Sequence, residues 1–279
     1  MALNTYGHLT RKVTIKTRII ILKLMIDKNY WLYLHFREGK PSDITCPTCG
    51  TGKIKILKKF TIHQTKNKIE LLQHGDYDTE NLDDKFSGLL KCDNEYCNDV
   101  VAVCGTAAPE LIDDDPETSN REYFRCLKPE YFSPPLKIIP LKYMYPTRVK
   151  EILEKSFALF FVDSDSCGNK IRISVEALLD ELHVTKEKDG KRKPYRLSLN
   201  ERIKEYQRTN MFLGELMLSI KWIGNYGSHN DSILKSDLLD GYEMMYAILD
   251  NLYDNQTDKL LKRSRTINFN ERPASKITN

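Results

Sequence analysis

Lys221-Trp-Ile-Gly-Asn-Tyr-Gly-Ser-His-Asn230 is the stretch around which the rest of the chain is organised. Gly224 and Gly227 are poor helix formers, so we expect the apolar helical run before them to end or kink here. His229 would then lie just beyond the last turn, near open carbonyls, with Lys221 two turns earlier. A cation and a titratable imidazole at a broken helix end can bind a phosphate and move a proton. The alternative is an ordinary helix C-terminus whose histidine is satisfied by a carbonyl.

Downstream of about residue 140, apolar residues recur with the helical period of 3.6. The expected starts and breaks, in chain order, are Pro146 in a first turn, a break at Ser164–Gly168, a cap at Asn169, a capping box at Ser198–Glu201, an apolar helix at Met211–Ile223 and a cap at Ser236. Helices joined by short loops predict an all-α bundle over residues 140–265, followed by a basic tail over 266–279.

Two cysteine pairs predict a metal site upstream of the helices. Cys46-Pro-Thr-Cys49-Gly is a knuckle in which two thiolates can face one ion, and Cys92-Asp-Asn-Glu-Tyr-Cys97 supplies a second pair. Four thiolates form a closed tetrahedral site, so the expected cofactor is a structural zinc ion. The alternatives are buried free cysteines, or a ligand set in which Cys104, His63 or His74 replaces a member of the second pair.

The segments around these cysteines predict a zinc-ribbon-like β module over residues 41–139. We expect short strands at Lys53–Leu57, Phe60–His63, Lys68–Leu72 and Val100–Cys104, and acidic loops at Gly75–Lys85 and 109–122. Residues 1–40 are expected to form a basic and aromatic N-terminal segment, in which Trp31–Phe36 fits either a helix or a strand. We expect these aromatic residues to pack against the next module, although aromatics interleaved with cations also suit a nucleic-acid surface. The fold class predicted for the whole chain is α+β, a β module followed by a helical bundle.

Charge is segregated along the chain. Residues 76–122 carry three Lys/Arg against fourteen Asp/Glu, whereas residues 183–208 carry nine against four. Such segregation favours one surface that faces a polyanion, although solvated faces of opposite sign would give the same pattern. The short apolar run at 19–26 contains Lys23, so neither a secretory signal nor a membrane partner is expected. Seven cysteines, two pairs of them at metal-ligand spacing, fit a reducing compartment better than a disulfide framework, and a cytoplasmic location is expected.

Three stretches carry a family resemblance: Tyr131-Phe-Ser-Pro-Pro-Leu, Arg172-Ile-Ser-Val-Glu-Ala-Leu-Leu-Asp and Ile223-Gly-Asn-Tyr-Gly-Ser-His229. Residues 131–255 resemble a prokaryotic domain-of-unknown-function family of the HEPN superfamily of helical, nucleic-acid-associated domains. Members of that family often follow a zinc ribbon. The resemblance implies that residues 140–265 form an HEPN-like four-helix bundle that dimerises, with the two motif copies facing a shared cleft.

The resemblance also implies candidate site residues. In active HEPN ribonucleases an arginine precedes the histidine by five to seven positions, and the pair cleaves RNA without a metal ion. His229 matches that histidine and Asn225 matches the polar neighbour, but Gly224 stands five positions before His229. Lys221, eight positions before His229, and Arg172 on the preceding helix are therefore the cations that could replace the arginine. A lysine is not a conservative replacement for an arginine that contacts a phosphate through two hydrogen bonds.

Three functions follow from these expectations. The first is a zinc-ribbon-containing HEPN-like protein of prokaryotic defence or stress response that binds RNA, another nucleic acid or a protein partner. The second is a metal-independent endoribonuclease that uses His229 with Lys221 or Arg172. The third is a non-catalytic adaptor that dimerises and recruits a nuclease.

Overall fold

The computed structural model describes residues 26–37, 43–75, 78–115, 120–190, 193–226, 232–254, 256–273 and 275. In this part of the chain an antiparallel sheet precedes a group of packed helices, so the predicted α+β class is confirmed. Most of the segment 1–40, including its apolar run up to residue 25, lies outside the described residues.

The first half is built on a six-stranded antiparallel sheet. Its strands are β1 (Phe36–Arg37), β2 (Ile54–Ile56), β3 (Thr61–Gln64), β4 (Asp84–Cys92), β5 (Val100–Asp115) and β6 (Asn120–Ser133). The order is β1-β6-β5-β4-β2, with β3 paired to the other end of β4. Two helices, α1 (Lys28–Leu32) and α2 (Lys66–His74), precede β1 and β4 respectively, and a 3₁₀ turn covers Thr79–Asn81.

Several local predictions for this half are wrong. The expected strand at Lys68–Leu72 lies in α2, because the Thr65 side chain caps that helix by accepting from the Lys68 N–H and Gly75 ends it at a left-handed φ of 73°. The expected acidic loop at 109–122 lies mostly within the long β5–β6 hairpin. The aromatic part of the 1–40 segment, by contrast, packs against this module as expected, because Phe36 of β1 pairs with Leu127 of β6 and is buried.

The second half consists of six helices among the described residues. They are α3 (Thr147–Leu159), α4 (Ser164–Glu181), α5 (Leu199–Gln207), α6 (Met211–Tyr226), α7 (Lys235–Leu249) and α8 (Gln256–Asn270). A π-helical turn, Asp250–Asp254, links α7 to α8, and a small hairpin of β7 (Glu187–Lys188) and β8 (Tyr195–Arg196) lies between α4 and α5. Buried apolar side chains from α3 to α7 form one continuous core.

The helix boundaries follow the predicted pattern only in part. Pro146 precedes α3 and Ser198 and Glu201 form the predicted capping box of α5. The Asn169 cap is wrong, because Asp163 caps α4 by accepting from the Ser166 N–H. The Ser236 cap is also wrong, since α7 begins one residue earlier without a side-chain cap.

Three further expectations for this half need correction. The basic segment between α4 and α5 forms the β7–β8 hairpin, where a loop between helices was expected. The tail expected from residue 266 still belongs to α8 up to Asn270. The family resemblance implied a four-helix bundle, whereas the described residues contain six helices, because the short α5 predicted by its capping box and α8 beyond the π-helical turn are added to it.

An aromatic cluster joins the sheet to the helices. The ring of Trp31 meets Phe160 edge-on at a centroid distance of 6.0 Å, and Phe132 of β6 packs on Phe161 at 5.4 Å. The two cores are therefore in contact beside the end of α3. No helix among the described residues has the length and apolar content needed to cross a membrane.

Candidate functional site

Four cysteines converge at one end of the sheet. Cys46 and Cys49 lie in the turn before β2, and Cys92 and Cys97 lie at the end of β4 and in the turn that follows. The Sγ atoms of Cys46 and Cys97 are 3.9 Å apart, those of Cys49 and Cys92 are 3.7 Å apart, and all four lie within 4.8 Å of one another. The pairing of β2 with β4 creates this cluster, which could hold a metal ion.

Backbone amides and a glycine shape this cluster. The Gly52 N–H donates to Cys49 Sγ at 3.3 Å, and the Asn94 N–H donates to Cys92 Sγ at 3.4 Å. A Cβ atom on Gly52 would lie 2.5 Å from Cys92 Sγ, so a side chain at position 52 would push into the sulfur atoms. Hydrogen bonds from the Thr51 hydroxyl and the Gly52 amide lower the pKa of Cys49 to about 5. The hydrogen bonds of this turn thus favour the thiolate form of Cys49, which is the form that binds a metal ion.

The pKa of the neighbouring thiol is shifted in the opposite direction. Burial raises the pKa of Cys92 to about 12, despite the hydrogen bond from the Asn94 amide. A divalent cation would supply the positive charge that four adjacent thiolates need.

The alternative ligands do not join the cluster. Cys104 is exposed on β5 and is not a member of the cluster. Among the described residues, neither His63 of β3 nor His74 of α2 belongs to a group that could hold a metal ion. Cys126 is buried in the sheet. Cys167 is buried in the helical core, where its Sγ lies 3.1 Å from the hydroxyl of Tyr242.

A second site lies among α4, α5 and α6 and is built around Lys221. The Lys221 residue is only 9% exposed, its Nζ donates to Asn200 Oδ1 at 3.4 Å, and it lies 3.4 Å from the ring centroid of Trp222. Among the described residues, no carboxylate forms an ion pair with it. Burial and the positive charges of Lys204 and Arg172 lower the pKa of Lys221. Lys221 is thus close to two other cations and, among the described residues, has no carboxylate partner of its own.

Arg172 is fixed on α4 at the edge of this surface. Its Nη1 donates to Glu176 Oε1 at 2.5 Å, one turn along the helix. Its Nε and Nη2 donate to Asn169 Oδ1 at 3.2 and 2.9 Å. These contacts fix the conformation of the guanidinium, so less conformational entropy is lost when it binds an anion.

Gly224 brings α6 against Arg172. A Cβ atom at position 224 would lie 2.6 Å from Arg172 Cβ and 2.7 Å from the Gly168 carbonyl oxygen. The expected helix break at Gly224 is wrong, because α6 runs on to Tyr226. The glycine is required by the close approach of two helices, so an arginine could not occupy this position without separating them.

The predicted site residues are brought together only in part. Lys221 and Arg172 face one surface, and Asn225 is half-buried directly after Gly224. Gly227 and His229 fall within residues 227–231, outside the described residues, so the predicted position of the imidazole stays a prediction.

A cleft of about 390 Å³ adjoins this surface at the start of α5. Its walls include the cations Lys186, Arg196 and Arg202, together with the carboxylates of Glu176 and Glu201. Glu176 also pairs with Arg172, so the cleft and the cation cluster are neighbours. The sequence indicated a basic segment here, but nothing in it indicated that the segment would flank the Lys221 surface.

Two family models match the chain, one over the half that contains the cysteine cluster and one over the half that contains the Lys221 surface. Residues 34–132 match the family described as Domain of unknown function (DUF8608). Residues 154–270 match the family described as Domain of unknown function (DUF4145). The predicted resemblance to a domain-of-unknown-function family is confirmed at this level. The four cysteines lie in the first match, and Arg172 and Lys221 lie in the second.

No curated protein and no solved structure matches the chain.

Proposed function

We propose that the protein binds RNA through the cationic surface around Lys221, on an HEPN-like helical bundle that follows a zinc-ribbon-like module. The observation that carries this proposal is the environment of Lys221. Lys221 is nine-tenths buried as a residue, and its ammonium has no carboxylate partner among the described residues. Desolvation and the positive charges of Lys204 and Arg172 destabilise this ammonium in the free protein. A phosphate bound there would relieve that repulsion.

Further cations lie beside the Lys221 surface. Lys186 and Arg196 line the cleft beside α5, at the β7–β8 hairpin between α4 and α5, and Lys186 also pairs with Asp180. Several cations suit a repeating phosphate backbone better than a single small anion, because each neutralised phosphate releases counterions and adds to affinity. The resemblance to HEPN domains supports RNA as the nucleic acid and a prokaryotic defence or stress response as the setting.

Zinc is the ion that best fits the cysteine cluster. Four sulfur atoms at about 2.3 Å from a tetrahedral zinc ion lie about 3.8 Å from one another. Two of the pairs in the cluster, Cys46 with Cys97 and Cys49 with Cys92, are 3.9 and 3.7 Å apart. Four protein ligands leave no open position for substrate, so the ion would hold the β2–β4 end of the sheet together and take no part in chemistry.

RNA binding is tested with purified full-length protein and fluorescently labelled RNA at two salt concentrations. Lys221→Met should lower affinity about tenfold or more and reduce the salt dependence, because a buried phosphate contact is lost. Replacing an unpaired buried ammonium by methionine should not destabilise the fold. Lys155→Met, which removes an exposed lysine from α3, is the matched control and should bind like the parent. Equal affinities for all three proteins would refute the proposal.

A second candidate, metal-independent endoribonuclease activity, is favoured by the contact between Gly224 and Arg172. Active HEPN ribonucleases carry an arginine where this chain has Gly224, and Arg172 lies against that position from the neighbouring helix. In this candidate Arg172 or Lys221 would stabilise the phosphate charge while His229 would transfer the proton. Dimerisation, which would bring two copies of the motif together, also stays a prediction.

Cleavage is tested in EDTA with labelled single-stranded RNA. Loss of cleavage in His229→Ala, together with retention in a folded Cys46→Ser variant, would establish the enzyme. RNA binding by the parent protein without cleavage of any RNA would leave the binding function alone.

A further inference from the structure

An exposed aromatic ring lies directly beside the buried cation. Trp222 is 58% exposed, and the Lys221 ammonium rests against one face of its indole. Tyr226 follows one helical turn later and is 52% exposed. Residues four apart lie on the same side of a helix, so the two rings project from one face of α6. Trp31, by contrast, packs into the aromatic cluster with Phe160.

Two exposed aromatic rings beside a cation without a carboxylate partner among the described residues suit a nucleotide, which carries both a base and a phosphate. Nucleic-acid bases stack on aromatic side chains regardless of their sequence, and the phosphate that joins two nucleotides lies within reach of a neighbouring cation. In a duplex the base faces are already stacked on one another, so only unpaired bases are available to a protein ring.

We propose that the indole of Trp222 stacks on an unpaired base while the Lys221 ammonium, on the other side of the ring, contacts the adjoining phosphate. This inference rests on the proposed RNA binding and restricts its ligand to single-stranded RNA. Tyr226 offers a second stacking position one turn along α6.

A second copy of the chain is the competing occupant of this face. Lysine is depleted at the centres of protein–protein interfaces, because its ammonium must be desolvated there. The surface at Lys221 also carries the charges of Arg172 and Lys204, of which Arg172 pairs with Glu176 and Lys204 interacts with Glu201. The positive charge that is left at Lys221 complements a phosphate and disfavours direct packing of this face on the same face of a second copy.

The experiment compares a labelled 12-nucleotide oligouridylate with a blunt RNA duplex of the same length, using the full chain. Trp222→Leu keeps an apolar side chain but removes the ring, and it should weaken single-strand binding about tenfold. Trp222→Phe keeps a ring and should stay within a few-fold of the parent. Tyr143→Leu, which removes an 88% exposed ring elsewhere on the surface, is the control and should have no effect. Single-strand binding should also quench tryptophan fluorescence in the parent but not in Trp222→Leu.

Each contrary result has a separate meaning. Unchanged single-strand affinity in Trp222→Leu, with affinity still lost in Lys221→Met, overturns base stacking and leaves the proposed RNA binding standing. Absence of binding to either RNA at low salt overturns both. If sedimentation shows a dimer that Trp222→Leu dissociates while RNA binding is unaffected, this face belongs to a second copy and the inference is wrong.

Discussion

Gly168 of α4 and Gly224 of α6 face each other where the two helices cross. A Cβ atom on Gly168 would lie 3.7 Å from the Gly224 Cα, and one on Gly224 would lie 2.7 Å from the Gly168 carbonyl oxygen. Backbone therefore approaches backbone at this point, which places the cations of α4 and α6 on one surface.

Gly224→Ala should destabilise the protein by about 2 kcal/mol, because the added methyl group meets backbone and a Cβ atom that cannot move independently. Denaturant unfolding followed by circular dichroism measures the change. Gly241→Ala on α7 is the matched control, since its added Cβ would lie 3.7 Å or more from Ile171 and Ile223. That variant should gain about 0.5–1 kcal/mol from helix propensity. Equal effects of the two substitutions would contradict the close crossing.

Metal content should depend on the cysteine cluster alone. We expect roughly one zinc ion per chain by elemental analysis, none in Cys92→Ser, and an unchanged content in Cys104→Ser, whose sulfur is exposed outside the cluster. Chelation should lower the melting temperature of the parent protein and leave Cys92→Ser unaffected, because structural zinc contributes folding free energy. Stoichiometric zinc in Cys92→Ser would rule out the four-cysteine site.

Local sequence signals predicted the elements that depend on neighbouring residues. The capping box at Ser198 and the helix start after Pro146 are determined within a few residues, and the structure has both. The 109–122 segment was mispredicted because Pro109 and its run of aspartates disfavour a strand locally. Pairing with β6 in the long hairpin outweighs that preference.

For the candidate sites, too, the sequence predicts what depends on neighbouring residues and does not predict what depends on tertiary packing. Cysteine spacing indicated the two pairs, whereas their convergence depends on the register that places Ile54 opposite Cys92. Lys221 was singled out by its position in the motif, but its burial beside Lys204 and Trp222 depends on how α5 and α6 pack. Helical periodicity identifies a face of each helix and does not say which two faces meet.

Asp180 joins three basic side chains at the end of α4. Its carboxylate lies 2.8 Å from Arg202, 2.9 Å from Lys186 and 3.3 Å from Arg148. Asp180→Asn should cost about 3 kcal/mol, because it leaves the buried Arg202 guanidinium without a counterion. Denaturant unfolding at pH 7 measures this loss, and Glu154→Gln at an exposed position of α3 should change stability little.

The same carboxylate predicts a pH dependence. Burial alone would raise the pKa of Asp180, but hydrogen bonds from Lys186 and Arg202 outweigh it and lower the pKa below the ordinary range. The stabilisation is therefore present above the unfolded-state pKa and is lost as pH falls through the folded-state pKa. The stability difference between the parent and Asp180→Asn should shrink at acidic pH. A difference that stays constant down to pH 2 would contradict this assignment.

Lys221 predicts an alkaline limit for RNA binding. Burial, Lys204 and Arg172 lower its pKa, so the free protein loses this charge at a lower pH than an ordinary lysine would. A bound phosphate favours the charged form, so the affinity should fall as pH rises through the pKa of the free protein. Fluorescence anisotropy with a single-stranded RNA between pH 7 and 10 measures the fall.

Lys221→Arg is the control for this titration, because a guanidinium keeps its charge over the whole range. The variant should show a flatter pH profile than the parent, whatever its affinity at pH 7. Lys221→Met should bind weakly at every pH, since it has no charge to lose. If the parent and Lys221→Arg have the same profile, the ammonium at position 221 does not contact the phosphate, and the cationic surface binds RNA through its exposed residues alone.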